Sequence, residues 1–314
     1  PLLDKLNPPF FCVDSLYEAY ELKKLRVKTP VLIMGYVAPE NLKVKKLNFS
    51  YAIYDYHQAE VLNKFQKGAK IHIKVDTGMH RLGIPIHNLD TLIKKIRNLK
   101  HIRIEGLMSH LSSPKTFPDY TKFQIKNYKI ALKILEKNNI NPKWKHLAAS
   151  GGLLNYGREI EKITNLSRVG ISLFGLYRTN KVSKILPVLK LTTQIVQIKK
   201  ITDGQYVGYD KAFQAKNDME IAILPIGYND GLDRRLTNIG VVKIRKTYCP
   251  IIGKVSMNIT AVDVTGVGAK IGNTVTVFSD KLNDKNSLEN AASSSGTIPH
   301  DLLVHLHTTA VKRV

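Results

Sequence analysis

The chain has 314 residues, 43% of them hydrophobic and 23% charged, with a formal net charge of +23. That composition excludes a disordered tail, a collagen and a coiled coil, and no apolar run reaches the roughly 20 residues of a membrane-spanning helix. The charge excludes nucleic-acid binding as the leading reading, because the lysines, 37 of the 48 cations, are spread along the whole chain as solvated surface.

The start, Pro1-Leu2-Leu3-Asp4-Lys5, has no basic region followed by an apolar core, so no secretory signal is read there. It does not open with methionine, and the chain is expected to begin inside a longer gene product. Cys12 and Cys249 lie far apart. They form neither a metal-type spacing nor a disulfide framework, which fits a cytoplasmic location.

Short apolar strands are predicted at 10–13, 31–34, 51–54, 69–75, 102–108, 145–149 and 167–173. Helical stretches fall between them, at 15–25, 58–65, 88–98, 119–138 and 152–156. In the longest, Phe123, Tyr128, Ile130, Ala131, Ile134 and Leu135 recur at about 3.6 residues. Strands separated by helices imply βαβ units and a parallel sheet. A barrel of this kind closes with eight strands. Seven are counted, so a strand is missed, the sheet is open, or a first strand-helix unit is missing.

Beyond about residue 185 the long helices vanish. Alternating strands are predicted at 189–201, 220–225, 240–244, 260–264 and 274–278, set off by Asp203-Gly204, Asn229-Asp230-Gly231 and Gly272-Asn273. A helical tail over 287–307 breaks at Gly296 and Pro299. The expected fold is a (β/α)8 TIM-type barrel domain lacking its first strand-helix unit over 1–186, then a mainly antiparallel β domain over 187–314.

The sharpest segment is Ile71-His-Ile-Lys-Val-Asp-Thr-Gly-Met-His-Arg-Leu-Gly83. Apolar Ile71, Ile73 and Val75 alternate with polar His72, Lys74 and Asp76, and a turn follows. Polar residues at the C-terminal end of a parallel strand sit where barrel active sites lie. Taken singly, Lys74 and Asp76 read as a structural ion pair and Arg81 as a surface cation.

The run as a whole resembles the Lys-Val-Asp-Thr-Gly-Met-x-Arg-Leu-Gly block of the alanine racemases, the pyridoxal-phosphate (PLP) enzymes of barrel fold type III. The similarity continues in order along the chain, through Met108-Ser-His110, Ala149-Ser150 and Arg168-Val-Gly-Ile-Ser-Leu-Phe-Gly175. It goes on through Val207-Gly-Tyr209, Leu224-Pro-Ile-Gly-Tyr-Asn-Asp-Gly231, Gly253-Lys-Val-Ser-Met257-Asn and Thr297-Ile-Pro-His300-Asp. Such a collinear series is far more specific than any one block.

The resemblance implies an L-alanine/D-alanine racemase serving peptidoglycan synthesis, with PLP as cofactor. It implies phosphate contacts from Ser150, Gly170, Ile171 and His300, and Arg168 against the pyridine nitrogen. His110 would join a network with Arg168 and Tyr209. Tyr209 would be one of two catalytic bases. Arg81 and the backbone amide of Met257 would hold the substrate carboxylate, and Lys74 would support Arg81, carbamylated in some members. Tyrosine and methionine come from the partner subunit in the family, which implies a homodimer. A racemase for serine or lysine and a non-catalytic PLP-binding protein are the alternatives.

The sequence departs from the family pattern in one chemical respect above all. The second base is the PLP-binding lysine of a Lys-Ala-Asn-Ala-Tyr-Gly block, and no such block occurs here. The chain is therefore expected to be an inactive fragment. His300 stands where a tyrosine is usual, Ala149 replaces an asparagine and Asn258 an aspartate.

Overall fold

The computed structural model describes residues 2–177 and 185–307. The chain divides into two compact units, Pro1–Gly170 and Ile171–Val314.

The first unit alternates strand and helix: β1 (Phe11–Val13), α1 (Leu16–Lys24), β2 (Val31–Ile33), α2 (Pro39–Val44), β3 (Ser50–Ile53), α3 (Tyr56–Phe65) and β4 (Ala69–Asp76). It continues with the two-residue β5 (Ile84–Pro85), α4 (Ile86–Ile96), β6 (Ile102–Met108), α5 (Pro118–Lys137), β7 (Trp144–His146) and α6 (Ser150–Ile160). Local chemistry starts several helices. Ser15 and Glu18 form a capping box on α1, and the Asp55 carboxylate accepts the Gln58 amide at the start of α3.

The strands pair in the order β1-β2-β3-β4-β6-β7, all parallel, with β5 alongside β4. Ile71, Ile73 and Val75 join the apolar layer under the helices. Their polar alternates lie on the other face, as period-two geometry requires. Two rows result. Ala52, His72, Gly106 and Trp144 stand side by side, and Lys74, Met108 and His146 form the next row toward the strand C-termini.

Three expectations need correction. The strand expected over 167–173 does not form, and a single parallel bridge, His146 to Leu166, lies just before it. The chain then bonds once more, Arg168 N–H to Ala148 C=O at 3.0 Å, and turns into a 3-10 segment at Ile171–Phe174. Among the described residues the parallel sheet is open. In α5 the buried residues are Thr121, Gln124, Ile125, Tyr128, Ala131 and Leu135, while Phe123 and Ile130 face solvent. The buried stripe includes a polar amide because Gln124 bonds the Ser112 amide and the His110 carbonyl. Asp76 makes no pair with Lys74. Its Oδ1 accepts the amides of Gly78, Met79 and His80 at 2.9–3.1 Å and so builds the turn.

Glycine at 106 is obligatory. A Cβ there would lie 2.1 Å from His72 Nδ1, the same nitrogen that is held by His146 Nε2 at 2.8 Å. Gly106→Ala should cost about 2–3 kcal/mol by overpacking, lowering the melting temperature by roughly 4–12 °C. An unchanged melting curve would contradict the packing.

The second unit is mainly antiparallel. It contains β8 (Leu191–Gln194), β9 (Gln197–Ile201), β10 (Tyr206–Val207), β11 (Phe213–Gln214), β12 (Met219–Leu224), β13 (Val241–Ile244), β14 (Thr247–Ile252), β15 (Thr260–Asp263) and β16 (Thr274–Phe278), then α7 (Leu288–Ser294) and α8 (Pro299–His305). Seven strands run in the order β8-β16-β13-β14-β15-β12-β9. The strand expected over 189–201 is in fact both edges of this sheet. It bends at Ile195-Val196, where the Ile195 amide bonds Asn273 and the Val196 amide bonds Ile223. The sheet curls back on itself, since two residues join its ends. The tail breaks into two helices on either side of Gly296, as predicted.

No helix among the described residues is long and apolar enough to cross a membrane.

Candidate active site

Arg168 is the centre of the first unit's chemistry. Its guanidinium donates to the carbonyls of Ser109 (2.6 Å), Leu147 (3.1 Å) and His146 (3.2 Å), and to Nδ1 of both His146 (2.7 Å) and His110 (3.1 Å). A guanidinium has donors only. Both imidazoles must therefore accept at Nδ1 and carry their proton on Nε2.

That assignment propagates. His146 Nε2–H donates to His72 Nδ1 at 2.8 Å, so His72 also carries its proton on Nε2. This N–H faces Glu105 at 3.7 Å, too long for a hydrogen bond but close enough for charge attraction. Lys70 closes the series on Glu105 at 3.1 Å. The row of polar groups thus runs from a carboxylate at the strand N-termini to a guanidinium at their C-termini. The ring of Phe10 packs edge-on against His72 and Trp144, and His72 and His146 are fully buried.

Burial, and then the Arg168 charge, push His110 down to about 4 and His146 well below the usual imidazole range. Burial also lowers His72 against the pull of Glu105. All three rings are neutral at pH 7.

The turn after β4 is held from two sides. Thr77 Oγ1 shares a hydrogen bond with Ser109 Oγ at 2.8 Å, Asn127 donates to the Thr77 carbonyl and Tyr120 to the Gly78 carbonyl. This turn presents Lys74, half-buried, and Arg81, exposed. Neither has a carboxylate partner among the described residues. Burial lowers Lys74, and the charges of Arg81 and Arg168 lower it further. The mouth of the sheet is a cationic corner suited to an anionic ligand.

A second anion-binding element lies at the start of α6. Ser150 is buried, and its Oγ accepts the Gly170 amide at 3.2 Å. A Cβ added at Gly170 would meet nothing within 4 Å, so packing does not demand glycine there. The first turn of α6 beside it presents backbone amides of the kind that bind a phosphate. The residues present therefore fit the phosphate and ring-nitrogen ends of PLP. They include no lysine in the family's anchoring block.

The cavities of about 460 and 710 Å3 lie elsewhere, among the loops that enter the strands. In a parallel barrel-type sheet chemistry gathers at the opposite, C-terminal ends.

The second unit holds Ile171, Tyr209, Met257 and His300. Ile171 begins the 3-10 segment, and His300 is exposed in the first turn of α8. Tyr209 is 65% exposed and Met257 54%, on loops that touch. Gly227 is needed where the 225–231 loop crosses the Met257 loop, because a Cβ would lie 2.1 Å from the Ser256 oxygen.

Sequence reasoning missed Glu105, Ser109, His72 and His146 as supports of Arg168. Only the alternation of His72 within an apolar strand signalled an inward polar group.

The chain matches the family models described as alanine racemase, N-terminal domain, over residues 5–178 and alanine racemase, C-terminal domain, over 188–314. It is 34% identical over 311 residues to alanine racemase 1 of Caldanaerobacter subterraneus subsp. tengcongensis, covering 96% of this chain and 79% of the relative. It is 36% identical over 305 residues to the alanine racemase of Helicobacter pylori strain Shi470, covering 93% and 81%. The alanine racemase structure of Clostridium difficile 630 superposes with a TM-score of 0.87 at 26% identity, over 98% of this chain and 81% of the other. That of Bacillus anthracis with bound L-Ala-P gives 0.85 at 26%, over 94% and 78%.

Proposed function

The chain belongs to the alanine racemase family of isomerases, and on that footing we propose that it holds PLP on its parallel unit and serves the interconversion of L- and D-alanine. The fivefold-held guanidinium of Arg168 carries this reading. Bound PLP withdraws electrons from the α-carbon of an amino acid and makes its hydrogen acidic. Arg168 stays charged and gives up no proton, so against the pyridine nitrogen it limits that withdrawal and favours plain proton exchange. Ser150 and the amides of Gly170 and Ile171 hold the phosphate, with His300 as a further contact. Arg81 and the Met257 amide hold the substrate carboxylate, and Lys74 supports Arg81.

Tyr209 takes or returns the α-proton at its phenolic oxygen on one face. The opposite face requires the family's PLP-binding lysine, whose block is not among these residues. Tyr209 and Met257 stand exposed beside Tyr228 and Ile259, two further exposed apolar groups. This supports a homodimer in which one protomer lends these residues to its partner's sheet. D-Alanine for peptidoglycan and a cytoplasmic location complete the proposal.

The test adds PLP to the chain, reduces with borohydride and maps the peptides. The expected result is scattered surface adducts, no stoichiometric adduct at one lysine, and no racemisation. Fusing a strand with the Lys-Ala-Asn-Ala-Tyr-Gly block ahead of Pro1 should produce both signals. In that fusion Tyr209→Phe should slow proton removal from L-alanine more than from D-alanine. Racemisation by the chain alone, or full activity of Tyr209→Phe in both directions, would overturn the assignment.

A further inference from the structure

The turn that carries Tyr209 is strained. Gly208, Asp210 and Lys211 all have positive φ, at 76°, 55° and 52°. Glycine adopts this conformation freely, but two consecutive side-chain-bearing residues do so at a cost, and such turns persist only where the surroundings hold them. Tyr209 sits inside this run, between β10 and β11.

The surroundings are specific. Asn238 donates from Nδ2 to the Ala212 carbonyl at 2.8 Å, on the Tyr209 turn. Its Oδ1 accepts the Gly253 amide at 2.7 Å, on the segment leading to Met257. Only one orientation of the amide satisfies both, because a carbonyl can only accept and an N–H can only donate. Lys254, next to Gly253, pairs with the Asp210 carboxylate. The two backbones touch closely: a Cβ on Gly253 would lie 2.6 Å from the Val207 oxygen.

We propose that Asn238, with the Asp210–Lys254 pair, is a positioning device that locks the strained Tyr209 turn to the Met257 segment, so that base and carboxylate-binding amide move as one piece. This inference rests on the roles proposed for Tyr209 and Met257. The lock itself is a property of the free chain and can be read without them.

The clean variant is Asn238→Gly. Residue 238 also has positive φ, 59°, so glycine keeps the backbone at ease and removes only the amide. Hydrogen exchange by mass spectrometry is followed on the intact chain. Losing two hydrogen bonds should raise the open population of the turn on the order of tenfold, with exchange of peptide 205–214 faster by that factor. Peptides from the parallel unit should not change. Asn238→Asp keeps the bond to Gly253 but sets an anion against the Ala212 carbonyl, and should open the turn at least as far. Lys254→Gln should loosen it and Lys254→Arg should restore it.

Unchanged exchange at 205–214 in Asn238→Gly and Lys254→Gln overturns the lock. In the lysine-bearing fusion, Asn238→Gly should lower kcat/KM in both directions, since both use Tyr209, and should slow exchange of the α-hydrogen of L-alanine more than that of D-alanine. If the turn opens but neither direction slows, while Tyr209→Phe does slow L-alanine, the positioning role fails. If Tyr209→Phe also has no effect, the base assignment has failed instead.

Discussion

Replacing Arg168 by alanine is expected to destabilise the parallel unit by about 3–5 kcal/mol, since five acceptors lose their donor and each buried unsatisfied group costs about 1–3 kcal/mol before relaxation. The acceptors are carbonyls of Ser109, His146 and Leu147 and the Nδ1 atoms of His110 and His146. Arg168→Lys should fall between, because an ammonium has three donors and no planar fork. Urea unfolding followed by fluorescence of Trp144, the single tryptophan, measures this directly. Its ring lies against Phe10 inside the sheet. Pyridoxamine 5'-phosphate needs no lysine to bind, and its affinity for Arg168→Lys should fall at least tenfold, about 1.4 kcal/mol. A loss of stability under about 1 kcal/mol in the alanine variant would mean that water replaces the guanidinium.

Acid should unfold the same unit early. His72, His110 and His146 are all held below the ordinary imidazole value of 6.5 by burial, His110 at about 4. Below pH 6.5 the unfolded chain binds protons that the folded chain refuses. Stability is therefore fully present above pH 6.5 and is lost as pH falls toward the folded values. Each ring contributes a slope of at most about 1.4 kcal/mol per pH unit, about 4 for the three together. In His110→Asn and His146→Asn the amide oxygen can accept from Arg168 where Nδ1 did, but it does not titrate. Each variant should flatten the slope by about a third. Urea midpoints at pH 7, 6 and 5 decide it, and a profile flat over that range would show that the rings are charged or solvated in the fold.

Much of the fold was legible because it rests on short-range periodicity. Ile71, Ile73 and Val75 against His72, Lys74 and Asp76 set the two faces of β4. The loss of long helices after residue 185 marked a change of architecture, and Gly296 with Pro299 marked the break in the tail. The ordered series from Lys74 to His300 identified the family. Where local pattern and tertiary demand diverged, the reading failed. Leu189 to Ile201 contains no glycine or proline, yet it bends because Asn273 and Ile223 bond adjacent residues from opposite edges. Gln124 lies in the buried stripe of α5 because the His110 loop needs its amide.

By itself, then, the sequence determined the alternation of strand and helix through most of the first unit, the change of texture along the chain and the residues that match the family's chemistry, but it passed over the helix at Pro39–Val44 and the strand at Thr247–Ile252. The tertiary structure decided what holds those residues in place. His72 and His146 become hydrogen-bonded, with Glu105 facing His72, only because parallel pairing sets β4, β6 and β7 in register. Asn238 becomes a clamp only because two distant loops meet across its amide. Register and loop contact depend on pairing between distant segments, and no local spacing in the chain encodes them.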